Sequence, residues 1–266
     1  MIPLIKWQVP SHERVDFKPK NSKYAVLIPV INEGLRIQEQ LRKMTDISIK
    51  IDVYIVDGGS TDKSLCHNIL KEFSIRSLLT KRGPGKLSSQ LRLGLATILK
   101  DGYEGVILVD GNNKDDTTSI IDFAKALEVG QDYIQGSRFI KGGKAVNTPL
   151  IRYLAIRLIH APIISIASRK WQTDTTNGFK AYSKSFLTNV NVQPFRNIFS
   201  KYELHYYLAV CAGRLKLKMC EIPVTRSYPA GTKTPTKIKG YKGYLEILST
   251  LFMVCFTNKY NPRSSS

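Results

Sequence analysis

The sequence lacks the short signatures of the commonest nucleotide-using enzymes. No G-x-G-x-x-G follows its first apolar run, and no G-x-x-x-x-G-K-[ST] occurs. A dinucleotide-binding Rossmann protein and a P-loop NTPase are thereby disfavoured. Cysteine is scarce: Cys66, Cys211, Cys220 and Cys255 show no C-x-x-C spacing. His12, His67, His160 and His205 form no H-E-x-x-H. A zinc site or redox pair is not expected, and a reducing cytoplasm fits the absence of disulfide logic. Long hydrophobic runs are missing too. Residues 153–168 are interrupted by Arg157 and His160. Residues 245–256 form an apolar run of only twelve, against the about 20 needed to span a bilayer. Residues 1–10 lack the basic and apolar regions of a signal peptide. Any membrane role is expected to be peripheral.

Acidic residues are also few. Asp and Glu total 21 against 40 Lys and Arg, giving a formal charge of +19 over 266 residues. Such a surface favours polyanions: anionic lipid headgroups, phosphorylated substrates or nucleic acid. No Lys/Arg block or aromatic–basic module points to RNA or DNA, so nucleic acid is not expected. With 42% hydrophobic residues the chain can bury a large core.

What is present is an alternation. Apolar runs at 24–30, 51–56, 76–79, 106–109 and 132–135 are separated by segments with helical spacing, such as Leu87, Leu91, Leu95 and Ile98. Strand–turn–helix repetition predicts an α/β fold, a mostly parallel sheet with helices on both faces. Ligands in such sheets bind beyond the carboxyl ends of the strands. The polar residues concentrate there: Asn32-Glu33, Asp57-Gly58-Gly59-Ser60, Arg82 to Lys86, Asp110-Gly111-Asn112-Asn113 and Gly136-Ser137-Arg138. Residues 1–22 read as an N-terminal arm. Residues 23–258 read as one domain, with a nucleotide half (23–135) and an acceptor half (136–258), and 259–266 read as a disordered tail. In the second half, 150–168 reads as a helix, 174–182 as extended, 203–212 as helix, 215–224 as strand, 228–242 as a mobile loop and 245–256 as a terminal helix.

Several segments carry a family resemblance, in order along the chain. Pro29-Val30-Ile31-Asn32-Glu33 resembles the P-x-x-N-E opening of family-2 glycosyltransferases, and Val56 to Asp62 their V-D-D-G-S-T-D segment. Leu108 to Asn112 stands in the place of the D-x-D motif. Gly136-Ser137-Arg138-Phe139 with Gly142-Gly143, then Asp174 to Lys180, and Glu221-Ile222-Pro223-Val224 are similar to segments of the polyprenyl-phosphate sugar synthases, the dolichol-phosphate mannose synthase type. The resemblance implies the GT-A fold, Rossmann-like, with an acceptor-side extension. It implies an inverting transfer of a sugar from a nucleotide-sugar to a polyprenyl-phosphate or other lipid-linked acceptor in cell-envelope glycan synthesis. The implied setting is the cytoplasmic side of the plasma membrane, against its anionic surface.

The implied donor contacts are Pro29, Asn32, Glu33, Asp57, Gly59, Ser60, Arg82, Lys86, Asp110, Gly111 and Lys114. Asp110 and Asn112 are the implied ligands of a divalent cation, Mg²⁺ or Mn²⁺. The second metal acid of the motif is here neutral Asn112, and Lys114 stands where glutamine is frequent. Asp174, Arg138 and Arg152 are the implied catalytic residues. A phosphate acceptor is already anionic and needs arginines, Arg138 and Arg152. A glycan hydroxyl would need a base, Asp174. A sugar nucleotidyltransferase and an anionic-lipid-binding protein are the remaining alternatives.

Overall fold

The computed structural model describes residues 7–230 and 240–262. Its strands are β1 (His12–Asp16), β2 (Tyr24–Val30), β3 (Asp52–Asp57), β4 (Ser77–Lys81), β5 (Gly105–Leu108), β6 (Tyr133–Ser137), β7 (Lys144–Val146), β8 (Lys180–Ser183), β9 (Met219–Pro223) and β10 (Thr225–Ser227). Eight of them form one sheet in the order β1-β4-β3-β2-β5-β8-β6-β9. β4, β3, β2 and β5 run parallel, as do β6 and β9. β1 and β8 run against their neighbours. β7 and β10 form a separate parallel pair.

The buried apolar runs explain the arrangement. Every residue of β3 is buried, as expected of a parallel strand covered on both faces. Alternate residues of β2 enter different cores. Leu27 joins Tyr54, Val56, Leu91 and Leu208 on one face, and Ile28 joins Ile37, Leu41, Ile55 and Phe123 on the other. The helix Leu87–Lys100 lies so close to the sheet that a Cβ on Gly94 would come within 2.3 Å of Leu27. β2 has β3 on one side and β5 on the other, so the strand order reverses there. A crevice opens at such a reversal, beyond the carboxyl ends. Here those ends are Pro29–Val30 and the Val109–Asp110 step.

Three segments differ from the sequence reading. The N-terminal arm is partly built into the sheet: β1 pairs antiparallel with β4, and Trp7 packs on Phe195 with ring centroids 4.3 Å apart. The tail is ordered at its start: Tyr260 is buried against Phe199, and Arg196 donates to the carbonyls of Tyr260 and Asn261. Residues 263–266, and 231–239 of the expected loop, lie outside the described residues. The terminal helix begins earlier than expected, at Gly240.

The helix at 150–168 is continuous, with one π turn at Ile156–His160. Its 19 residues are long and apolar enough to cross a membrane, with a mean hydropathy of 1.5 over an 18-residue stretch of which 33% is buried. Arg157 and His160, which read as interruptions, both lie against protein. Arg157 sits 5.2 Å over the Phe139 ring, and His160 bonds Thr175. Leu150, Ile151, Leu154, Leu158 and Ile166 are exposed on the outer face.

Candidate functional site

The donor-side loops are tied together mostly by their own polar side chains. Asp57 ends β3, and its Oδ1 accepts from the Gly59 and Ser60 amides at 3.1 and 2.8 Å and from Ser60 Oγ at 2.7 Å. Asn32 adopts a left-handed φ of 48°, a conformation asparagine tolerates. Its backbone amide donates to Ser60 Oγ at 3.0 Å, and its Oδ1 accepts from the Thr61 amide at 2.8 Å. Gly59 has φ +98° with open space around it, so backbone freedom alone calls for glycine. Glu33 pairs with Arg36 at 2.8 Å. Gln90, unremarked in the sequence, donates to the carbonyls of Val30 and Val56 and so joins the ends of β2 and β3. Pro29, Asn32, Asp57, Gly59 and Ser60 therefore form one wall of the crevice. Arg82 and Lys86 have other partners. Arg82 pairs with Glu13 of β1 at 2.7 Å, and Lys86 lies 3.9 Å from Glu246.

Past β5 the chain places acids and bases in contact. Gly111 is required by space, since a Cβ there would come 2.8 Å from Val30. Gly178 packs directly on Asp110, where a Cβ would meet Oδ1 at 2.3 Å. Arg226, from β10, bridges two carboxylates: Nη2 donates to Asp110 at 3.0 Å and Nη1 to Asp115. Burial opposes the charge on Asp110, but Arg226, His205 and Lys114 outweigh it and hold the carboxyl below its ordinary value. Burial pushes Asp115 up instead, with Arg226 opposing. Lys114 is lowered by burial and by Arg226, and its Nζ lies 4.9 Å over the Tyr228 ring.

The same place offers oxygen atoms to a divalent cation. Asn112 Oδ1 is buried without a hydrogen-bond partner, and its Nδ2 is 3.5 Å from Asp110 Oδ2. A carboxylate and an orphaned amide oxygen on one wall suit a hard, oxygen-seeking cation. Among the described residues no three acid, histidine or cysteine side chains converge as a metal cluster. Asp110 and Asn112 thus offer a cation two oxygen ligands, and the others would have to come from outside the described side chains.

On the acceptor side, two residues that the sequence offered as alternatives prove to be partners. Arg138 donates to Asp174 through Nε at 2.6 Å and Nη2 at 2.7 Å, and its backbone amide adds a third bond. The side chains are 1% and 0% exposed. Asp174 is in this arrangement closed to an incoming hydroxyl, and Arg138 is spent on Asp174 and Thr176. Glu221 holds the preceding residue, accepting from the Thr173 amide at 2.8 Å. Arg152 does face the site. It donates to Tyr228 Oη at 3.1 Å, and its guanidinium is 5.5 Å from that ring. Burial raises the Tyr228 phenol, but Arg226 and Arg152 outweigh it and lower it. Lys114, Arg152 and Arg226 thus converge on one tyrosine, with Arg138 next to them.

Behind this layer lies Lys180, fully buried, donating to Tyr133 Oη at 3.0 Å and to Gln135. Burial drops it to about 7, against the pull of Asp174, Asp110 and Glu221. His160 is lowered to about 3 by burial and by Lys180. Asp115 stood in the sequence only as a neighbour that could help hold a cation, and Lys180, Tyr228 and the bridging role of Arg226 were not marked as site features. The one available signal was position: Arg226 and Tyr228 follow the Glu221-Ile222-Pro223 strand.

No family model matches the chain. Among curated proteins it is 24% identical over 177 residues to a dolichol-phosphate mannosyltransferase of Pyrococcus furiosus, covering 65% of this chain and 49% of that protein. It is 24% identical over 204 residues to an undecaprenyl-phosphate mannosyltransferase of Micrococcus luteus, covering 75% and 81%. The chain thus spans about half the length of the archaeal relative. Among solved structures it superposes on glucosyl-3-phosphoglycerate synthase of Mycobacterium tuberculosis with a TM-score of 0.63 at 14% identity, covering 91% of this chain and 82% of that one. A complex of that protein with Mn²⁺, uridine diphosphate and glucosyl-3-phosphoglycerate gives 0.60 at 15% identity, over 91% and 81%. The chain has the GT-A glycosyltransferase fold and is similar in sequence to two polyprenyl-phosphate mannosyltransferases.

Proposed function

We propose that the chain is an inverting glycosyltransferase that moves a sugar from a nucleotide-sugar to a phosphate acceptor, carried on a polyprenyl lipid. The observation that carries this reading is the convergence of Lys114, Arg152 and Arg226 on Tyr228, beyond the ends of β5 and β6. Buried cations gathered without a matching set of free acids suit a phosphate-rich ligand. The exposed apolar face of the helix Leu150–Ser168 adjoins them through Arg152, which suits a lipid-borne phosphate at a membrane surface. The two curated relatives are named for polyprenyl phosphates, which agrees. In this reading the protein sits peripherally on the cytoplasmic side of an anionic membrane.

The nucleoside lies along the wall formed by Pro29, Asn32, Asp57, Gly59 and Ser60. Asp110, Asn112 and Gly111 face the diphosphate, and Lys114 offsets its charge. A divalent cation held by Asp110 and Asn112, when bound, supplies positive charge to the departing diphosphate. The acceptor phosphate oxygen attacks the anomeric carbon from the face opposite the nucleotide. The bond from that carbon to the diphosphate oxygen breaks, and its electron pair leaves with the nucleoside diphosphate. No proton has to be removed from a phosphate that is anionic near neutral pH. Arg152 orients that phosphate, and the Arg138–Asp174 pair fixes the loop beside it.

A second reading keeps the phosphate and removes the lipid. The structural neighbour has been solved with phosphoglyceric acid, a small soluble phosphate. The test is a donor screen followed by an acceptor comparison. Thermal shifts with nucleoside diphosphates and Mn²⁺ should single out one base, since ligand at a hundred times Kd adds about 2.7 kcal/mol. Radiolabelled sugar from that donor should then partition into organic solvent with polyprenyl phosphate. Transfer to 3-phosphoglycerate instead would establish the soluble acceptor. Transfer to neither, with no nucleotide shift, would sink the proposal.

A further inference from the structure

We infer that Arg226 is a resident counter-ion of the donor site, which keeps a free divalent cation off Asp110 until a nucleoside diphosphate arrives. The inference rests on the glycosyltransferase reading and deepens it. It starts from a geometric conflict. The carboxylate fitted to hold a cation already has one: Arg226 Nη2 lies 3.0 Å from Asp110 Oδ2. The guanidinium is nearly buried and reaches Asp115 with its other nitrogen. Arg226 is anchored from both sides of the backbone. The Ser227 amide donates to the Lys114 carbonyl at 2.8 Å, and the Asp116 amide to the Thr225 carbonyl at 2.9 Å. β10 is therefore stapled to the loop that carries Asp115, and a change of partner falls to the side chain.

Charge decides what can enter. Two carboxylates face one guanidinium, with Lys114 close by, so the acids are already largely neutralised. A divalent cation arriving alone must sit beside Arg226 or expel it. Expulsion leaves a buried guanidinium with Asp115 alone, and an underpaired buried charge is costly. A diphosphate changes the balance. It brings anionic oxygens that can take Nη2, while Nη1 stays on Asp115. Asp110 Oδ2 is then free for the cation, with the Asn112 amide 3.5 Å away through Nδ2 and its buried Oδ1 still without a partner. Nucleotide and cation should consequently bind as a pair. By linkage, each raises the affinity of the other by the same factor.

The test measures free Mn²⁺ by electron paramagnetic resonance during titration of the full chain, first with Mn²⁺ alone and then with GDP or UDP present. Wild type should bind Mn²⁺ alone weakly, and the effective nucleotide should tighten it by about 100-fold, within the usual span of coupling energies. Arg226→Gln should bind Mn²⁺ alone at least about tenfold more tightly than wild type, and its nucleotide coupling should shrink. Arg226→Lys, which keeps the charge but cannot span two carboxylates, should fall between them. It serves if the glutamine variant does not fold. Unchanged Mn²⁺ affinity in a folded variant overturns the inference. So does wild-type binding of Mn²⁺ alone that nucleotide does not tighten, or no Mn²⁺ binding by any form. If the nucleotides raise thermal stability but leave Mn²⁺ binding unchanged, the inference falls and the glycosyltransferase reading stands; if they do neither, both fall.

Discussion

In residues 23–135, polar residues at strand ends bond to groups nearby in the chain or one loop away: Asp57 to Gly59 and Ser60, Asp62 to Ser64, Asn32 to Thr61. In the half from 136 onward, they are charges withdrawn from water and paired across long separations. Arg138 meets Asp174, 36 residues on, and Arg226 meets Asp110, 116 residues back. The first kind of bond shapes a loop and leaves a surface on which a ligand can lie. The second kind locks distant segments together, and its strength depends on every partner being present. The donor wall should therefore tolerate change in its bonds individually, while the acceptor side should fail as a unit.

The largest effect is expected where that contrast is sharpest. Asp174→Asn or Arg138→Met leaves an unpaired charge in a site with 1% and 0% exposure. Breaking such a pair costs about 3–5 kcal/mol. Urea denaturation should show it, and the double variant Arg138→Met/Asp174→Leu should recover most of the loss. If each single variant kept wild-type stability, the pair would not be the lock described here, and Asp174 would regain its standing as a free base.

Asp110→Asn is expected to act on function before stability. Its side chain is 24% exposed and faces the crevice. Removing one strong electrostatic stabiliser lowers turnover by about 10²–10³-fold. Donor turnover and Mn²⁺-dependent nucleotide binding should fall together, and the urea midpoint should fall too, by less than for the Arg138–Asp174 pair, because Arg226 keeps Asp115. Wild-type turnover in this variant would remove Asp110 from the donor site.

A smaller effect separates the halves by pH. His160 is buried against Thr175 and Tyr206, with Lys180 and Asp174 near it, and its pKa is lowered from 6.5 to about 3. Below 6.5 the unfolded chain takes a proton that the folded chain refuses. Stability is then lost as pH falls from about 6.5 toward about 3. The slope from one such group is about 1.4 kcal/mol per pH unit. Between pH 6.5 and 5 most carboxylates are still ionised, so His160→Gln should flatten the profile in that window. An unchanged slope would mean that His160 charges freely in the folded protein.

Local chemistry was the legible part. Apolar runs, glycine at Gly59 and Gly111, and the spacing of Asp57, Asp110 and Arg138 marked the strands and the crevice, because each depends on neighbours within a few residues. The edge strand β1 was hidden, since residues 12–16 are mostly polar and exposed and join the sheet through backbone bonds and surface ion pairs. The joining of Arg138 to Asp174, and of Arg226 to Asp110 and Asp115, was hidden as well. Each residue was conspicuous alone, but a sequence does not state which charge will neutralise which.

Arg82 is the clearest case, and it gives the smallest expected effect. It follows β4 at a strand end, and its place beside Asp57 argued for contact with the donor nucleoside. In the folded chain it lies against Glu13 of β1, with side chains 56% and 64% exposed. That partner sits 69 residues earlier, in a segment that looked like a loose arm. An exposed pair gains little, because water screens it and two long side chains must be held still. Arg82→Ala should leave the urea midpoint unchanged and alter nucleotide affinity by less than about twofold, the scale of a surface ion pair. The informative result is the contrary one. A tenfold loss of nucleotide affinity, with stability intact, would mean that Arg82 leaves Glu13 for the donor when it binds. The donor wall would then exchange partners as Arg226 is inferred to do, and the difference between the two halves would lie in burial alone.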